Sequence, residues 1–158
     1  MGDLLIRELG VTRFFGAADL GTAHLLEGWA NPEPAHNWNE GFDAALRLKL
    51  ETPPDFPCQL TIEARPHLAP GLSRQDVTFY FNGLRLGFWR LESPSLYMLE
   101  TIIEPEYWLK RPGDTRGLCT WHLPGSTRPS DVSDAQDERL LGLCFLTLTL
   151  SRRPARKL

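Results

Sequence analysis

The stretch from residue 75 to residue 91, QDVTFYFNGLRLGFWRL, most constrains what this chain can fold into. Two alternating apolar runs meet at Asn82-Gly83, a dipeptide suited to the positive φ angles of a tight β-hairpin turn. In the first run Val77, Phe79 and Phe81 fall on one face, and Asp76, Thr78 and Tyr80 on the other. An antiparallel sheet with one apolar side needs a second layer to cover it, so the hairpin implies a sandwich. In the second run, if Phe88 faces inward then Trp89 points outward, sharing the face of Arg85 and Gly87. That phase matches Tyr80, so Tyr80 and Trp89 together read as a secondary stacking surface or as a cross-strand aromatic pair.

The same period-two logic extends along the chain. DAALRLKLE (43–51) puts Ala44, Leu46, Leu48 and Leu50 on one side, and CQLTIEARP (58–66) does the same with Leu60, Ile62 and Ala64. Strands over 97–104 and 118–123 rest on β-branched and aromatic content. Residues 140–150, apolar on both faces, read as a central strand, and LLIREL and HLLEGW add two short strands near the N-terminus. The expectation is an all-β fold: an antiparallel, jelly-roll-like β-sandwich of about eight strands, with at most short helical turns. Residues 31–40 and 124–138, rich in Pro, Asn, Ser and Asp, read as long loops. Within the second, Asp134 is expected to cap a single helical turn through Ala135–Arg139.

A length of 158 residues suits one domain, placed at 1–150. Residues 151–158, SRRPARKL, carry four basic and no acidic side chains and read as a disordered tail. The rest of the chain holds 13 basic against 20 acidic residues, a charge of −7 that disfavours nucleic acid. Membrane contact is expected at most through the tail, and MGDLLIREL lacks the apolar core of a secretory signal, which points to the cytoplasm. Cys58, Cys119 and Cys144 lack the paired spacing of a zinc site and read as buried thiols.

Chemistry is less legible than fold. Trp29, Trp38 and Trp108 lie in or beside the expected loops, and an exposed indole face matches the C–H patches of a pyranose. The other reading of each is core packing. The loop carboxylates Asp131, Asp134, Asp137 and Glu138 match no fixed calcium-loop signature. Glu33, Glu40 and Glu100 are the carboxylates available to a glycan hydrolase, which needs an opposed pair. His24, His36, His67 and His122 show no metal-ligand spacing, and no serine sits in a nucleophile elbow. No catalytic residue, metal or cofactor is expected.

Three segments carry a resemblance: 28–46 (GWANPEPAHNWNEGFDAAL), 77–89 (VTFYFNGLRLGFW) and 129–150 (PSDVSDAQDERLLGLCFLTLTL). Their order of Gly28-Trp29, Glu33, Trp38, Gly41, Asn82-Gly83 and then Asp137, Arg139, Leu141 and Gly142 resembles a β-sandwich accessory module of bacterial surface-polysaccharide systems. That module is often fused to glycosyltransferases or membrane transferases. The resemblance implies a non-catalytic carbohydrate-binding or scaffolding role in polysaccharide biosynthesis, with a saccharide or a separate glycosyltransferase-type enzyme as partner. Trp29, Glu33, Trp38, Asp137 and Arg139 are then the binding residues. On a structural reading, Arg139 instead pairs with Glu33 or Asp137 while Trp29 and Trp38 close the mouth of the sandwich. A self-assembling or protein-interaction sandwich, forming a homo-oligomer through an apolar outer face at Trp89 and Leu91, is the alternative from another class.

Overall fold

Alternating apolar side chains close into two facing sheets in the computed structural model, which describes residues 2–21 and 23–155. The strands are β1 (Leu4–Leu5), β2 (Thr12–Phe14), β3 (Asn37–Glu40), β4 (Asp43–Leu50), β5 (Cys58–Pro66), β6 (Gln75–Phe81), β7 (Leu84–Leu91), β8 (Tyr97–Ile103), β9 (Leu109–Arg111), β10 (Asp114–His122) and β11 (Leu141–Arg152). One sheet runs β1-β4-β10-β6-β7 with β9 added to β10; the other runs β2-β11-β5-β8 with β3 added to β11. All neighbours are antiparallel except β1 on β4. The row β4-β10-β6-β7 faces the row β2/β3-β11-β5-β8, the arrangement of an eight-strand jelly roll in which β2 and β3 share one position.

The inner faces meet as the alternation requires. Leu46, Leu48, Leu60, Ile62, Val77, Phe79 and Phe81 are buried, and each such side chain contributes roughly 1.5–3 kcal/mol by leaving water. At one end Phe15, Trp29, Trp121 and Phe145 form an aromatic knot, with Phe145 at 5.2 Å from Phe15, 4.8 Å from Trp29 and 5.2 Å from Trp121. Among the described residues no helix is long and apolar enough to cross a membrane.

The hairpin turn forms at Asn82-Gly83, with φ of 47° and 83°. Asn82 does more than turn the chain: its Nδ2 donates to Tyr107 O (2.9 Å) and Arg116 O (3.1 Å), while its Oδ1 accepts from Leu118 N–H (2.8 Å). The tip is thereby fastened to β10 and to the 3-10 turn at Pro105–Tyr107.

The phase of β7 departs from the simple expectation. Tyr80 pairs with Arg85 but Phe79 pairs with Gly87, so Leu86 is an extra residue, a β-bulge. One inserted residue exchanges the faces of everything beyond it. Phe88, opposite Thr78, therefore points outward and is 46% exposed, whereas Trp89, opposite Val77, packs against the core. Trp89 and Tyr80 lie on opposite faces and share no stacking surface.

Other differences have local causes. HLLEGW makes only isolated bridges, Leu25 to Leu46 and Trp29 to Asn39, and the strand forms instead over Asn37–Glu40, inside the expected loop. The helical turn lies at Pro129–Val132, where Pro129 takes the first helical position; Asp134 is exposed and caps nothing there. β11 continues through Arg152, whose guanidinium lies 4.4 Å over the Phe56 ring, and Arg153 N–H donates to Pro57 O. Residues 151 and 152, expected in a disordered tail, thus belong to β11; Arg156 to Leu158 lie outside the described residues.

Candidate functional site

β3 pairs with β11 so that Trp38 sits opposite Cys144, which on its other side faces Arg65 of β5. Period two then turns Asn37 and Asn39 inward, where both are buried, and Trp38 outward, where it is half-buried. Asn39 anchors the strand. Its Oδ1 accepts from Gly142 N–H (3.0 Å) and Leu143 N–H (2.6 Å), and its Nδ2 donates to Gly41 O (2.9 Å) and Ser126 Oγ (3.3 Å). Gly142 is required by the same contact, since a Cβ there would lie 2.5 Å from Ser126 Oγ.

Charged and polar groups surround the Trp38 indole. The His67 ring stands edge-on at 6.3 Å between centroids, and its Nδ1 is 3.3 Å from Leu141 O. Arg139 donates through Nε to both Asp137 oxygens (3.0 and 3.2 Å) and through Nη2 to Oδ2 (2.8 Å). Asp137 also accepts from Arg139 N–H at 3.0 Å, which locks the loop just before β11. The Arg139 side-chain bonds hold the Asp137 carboxyl below its ordinary 3.8, with the backbone bond and nearby His67 acting the same way. Asp137 in turn raises Arg139, with smaller support from Glu33 and Glu40 nearby. Glu33 pairs with His36. Beneath these groups burial pushes the Cys144 thiol up to about 12, aided by Glu33 and opposed by Arg65.

Four of the five sequence-predicted residues therefore converge on one outer patch: Glu33, Trp38, Asp137 and Arg139. Trp29 does not join them. Its ring stacks on Phe15 (5.4 Å) and meets the edges of Trp121 and Phe145, and its Nε1–H donates to Ala45 O at 2.9 Å. With one face covered and its only donor committed, the half-buried Trp29 packs against the core. Gly28 has φ of +88°, and a Cβ there would lie 1.7 Å from Asp43 O, so it too serves the fold. Trp108 is buried against Phe81 at 5.0 Å.

Arg65, His36 and His67 belong to the patch but escaped the sequence reading. Arg65 was legible as an outward residue of β5; what it faces depends on β11, far along the chain. Asp131, Asp134 and Glu138 are exposed, and among the described residues no three His, Cys, Asp or Glu groups sit close enough to hold a metal ion. Trp89 packs against the core and Leu91 is buried, so the apolar outer face expected around them for self-assembly does not form. The secondary position is occupied instead by Phe88, flanked by the guanidiniums of Arg85 at 5.7 Å and Arg90 at 6.0 Å. Three clefts, of about 430, 440 and 370 Å³, open around β1 and the loop after β4, and no predicted site residue lines them.

No protein-family model and no curated protein matches the chain. Among solved structures it is similar to part of a family GH115 4-O-methyl-alpha-glucuronidase with specificity for decorated arabinogalactans, at 11% identity and a TM-score of 0.51. That likeness covers 94% of this chain, which spans only 18% of the glucuronidase. Similarity extends to the CBM36-1 domain of a multidomain xylanase from the hindgut metagenome of Trinervitermes trinervoides, at 7% identity, TM-score 0.47, 92% of this chain and 100% of that one. It also extends to part of a Paenibacillus cycloisomaltooligosaccharide glucanotransferase, at 8% identity, TM-score 0.45, 90% of this chain and 18% of that one. At such identities the glucuronidase match establishes a shared β-sandwich fold.

Proposed function

We propose that this chain is a non-catalytic saccharide-binding module whose binding face is centred on Trp38. The observation that carries the proposal is the half-buried indole raised on the outer face of a sheet, within a ring of charged groups already fixed by their own pairings. A sugar ring offers C–H patches to the indole and hydroxyls to the oxygens of Asp137 and Glu33 and the nitrogens of Arg139 and His67. Because Arg139 and Asp137 are held before a ligand arrives, little ordering remains to be done on binding.

The carboxylates argue for binding over hydrolysis. A glycosidase needs one carboxyl raised to act as acid, whereas Asp137 is held low by Arg139. The glucuronidase that shares the fold acts on decorated arabinogalactans; the saccharide reading of this chain rests on the Trp38 patch itself. Following the resemblance of residues 28–46, 77–89 and 129–150, the module serves bacterial surface-polysaccharide synthesis beside a glycosyltransferase-type enzyme.

Glycan-array binding tests this. The wild-type chain should bind a defined set of glycans, and Trp38→Ala should lose about tenfold or more in affinity with no loss of folding. No binding at all, or binding that Trp38→Ala leaves intact, overturns the proposal.

A further inference from the structure

The face that carries Trp38 carries a second aromatic ring. β2 and β3 pair in succession with the same side of β11: Trp38 lies opposite Cys144, and Phe14 opposite Thr147. Across β11, Cys144 faces Arg65 and Thr147 faces Glu63. Glu63 and Arg65 alternate with the buried Ile62 and Ala64, so this row of side chains, Trp38 and Phe14 included, projects from the outer face. Phe14 is 51% exposed, and its backbone is held by an N–H bond to Asp19 (2.9 Å), whose carboxylate also grips Arg13. Leu146 is an extra residue of β11 at this point, a β-bulge, so the two partners lie opposite β5 residues only two positions apart, a span of about 7 Å at the rise of a strand.

Polar groups lie beside the rings. The segment bearing Glu33 is seated against the end of β2: Ala17 N–H donates to Glu33 O at 2.8 Å, and a Cβ on Gly16 would meet Pro34 O. Glu33 also acts on Cys144, the residue opposite Trp38. Half-buried Glu63 and exposed Arg65 complete the surface, beside the buried Thr147.

Building on the saccharide reading of Trp38, we infer that this patch is one of at least two subsites for an extended, uncharged polysaccharide, lying along β11 with one sugar ring on Trp38 and a later ring on Phe14. The alternation of ring face and hydroxyl edge along a glycan matches the alternation of aromatic and polar groups here. A protein partner would need a contiguous apolar centre, and the row that carries Phe14 and Trp38 is flanked across β11 by the charged Glu63 and Arg65. Charge selects among glycans: Glu33, Asp137, Glu63 and, further across the face, Glu100 outnumber Arg65 and Arg139, the arginines described on this face, so a uronic-acid chain is repelled.

Affinity electrophoresis in gels containing galactomannan, arabinoxylan, xyloglucan or alginate tests the inference, followed by calorimetry with a disaccharide and a hexasaccharide cut from the retarding polysaccharide. The wild type should be retarded by a neutral polysaccharide and not by alginate. The hexasaccharide should bind about tenfold more tightly than the disaccharide; Phe14→Ala should erase that gain without weakening the disaccharide, and Phe14→Tyr should keep it. Thermal melting confirms that each variant is folded. Hexasaccharide affinity unchanged in Phe14→Ala, with Trp38→Ala still damaging, overturns the second subsite and leaves the saccharide reading standing. Retardation by alginate alone overturns the uncharged ligand. No retardation in any gel, or none sensitive to Trp38→Ala, removes both readings together.

Discussion

Trp29 and Trp38 come from one short stretch of chain, and the sandwich puts them to opposite uses. Trp29 enters the aromatic knot, covered by Phe15 and Phe145, with its indole N–H on Ala45 O. Trp38 stands on the outer face above Cys144, beside His67. Local composition does not separate them. What separates them is the ladder between β3 and β11, which turns Asn37 and Asn39 inward and so turns Trp38 out.

The sharpest way to break this contrast is to truncate each ring. Trp29→Ala opens a hole in the knot and should cost about 3–5 kcal/mol, whereas Trp38→Ala should stay within about 1 kcal/mol of wild type. Denaturant unfolding with an unchanged m-value reads both; equal losses would erase the distinction between core and surface indole. A smaller effect is expected at Gly87, where a Cβ would lie 2.4 Å from the Trp89 ring. Gly87→Ala should destabilise by about 1–3 kcal/mol through overpacking, and a neutral result would mean that Trp89 does not lie folded over the strand.

The smallest expected effect is electrostatic. Asp137 is held low by its side-chain bonds to Arg139, and Asp19 by those to Arg13. As pH falls the unfolded chain takes up these protons first, so the pairs contribute in full above about pH 4 and their contribution disappears as pH drops through the folded values. The Asp137–Arg139 pair is part-exposed, and about 0.2–1 kcal/mol is its expected share. Stability measured between pH 6 and pH 3 should fall less steeply in Arg139→Ala than in wild type. An unchanged slope would show that the pair adds nothing to the fold and only shapes the patch.

The sandwich was legible because its long strands announce themselves locally. The alternations at 43–50, 58–66 and 75–81 each place their apolar residues inward as read. The turn at Asn82-Gly83 was equally plain, but the bulge at Leu86 was not: it leaves no trace in composition, and it reversed Trp89. β2, β3 and β9 are too short to show a period, and β2 and β3 exist because β11 supplies their ladder. The patch suffered the same limit. Asp137 and Arg139 could be paired from their spacing, but that Trp38, Arg65 and Glu33 gather beside them depends on register set by a distant strand.

β11 therefore has a consequence for how the molecule comes into being. Among the described strands it is the last made, and β2, β3 and β5 all lie against it. On a ribosome adding about 5–20 residues each second, the hairpin of β6 and β7 has its partner almost at once. Both strands that carry Phe14 and Trp38 must wait until residues 141–152 have emerged. During that interval their unsatisfied amides and greasy side chains stand open to chaperones, proteases and neighbouring nascent chains.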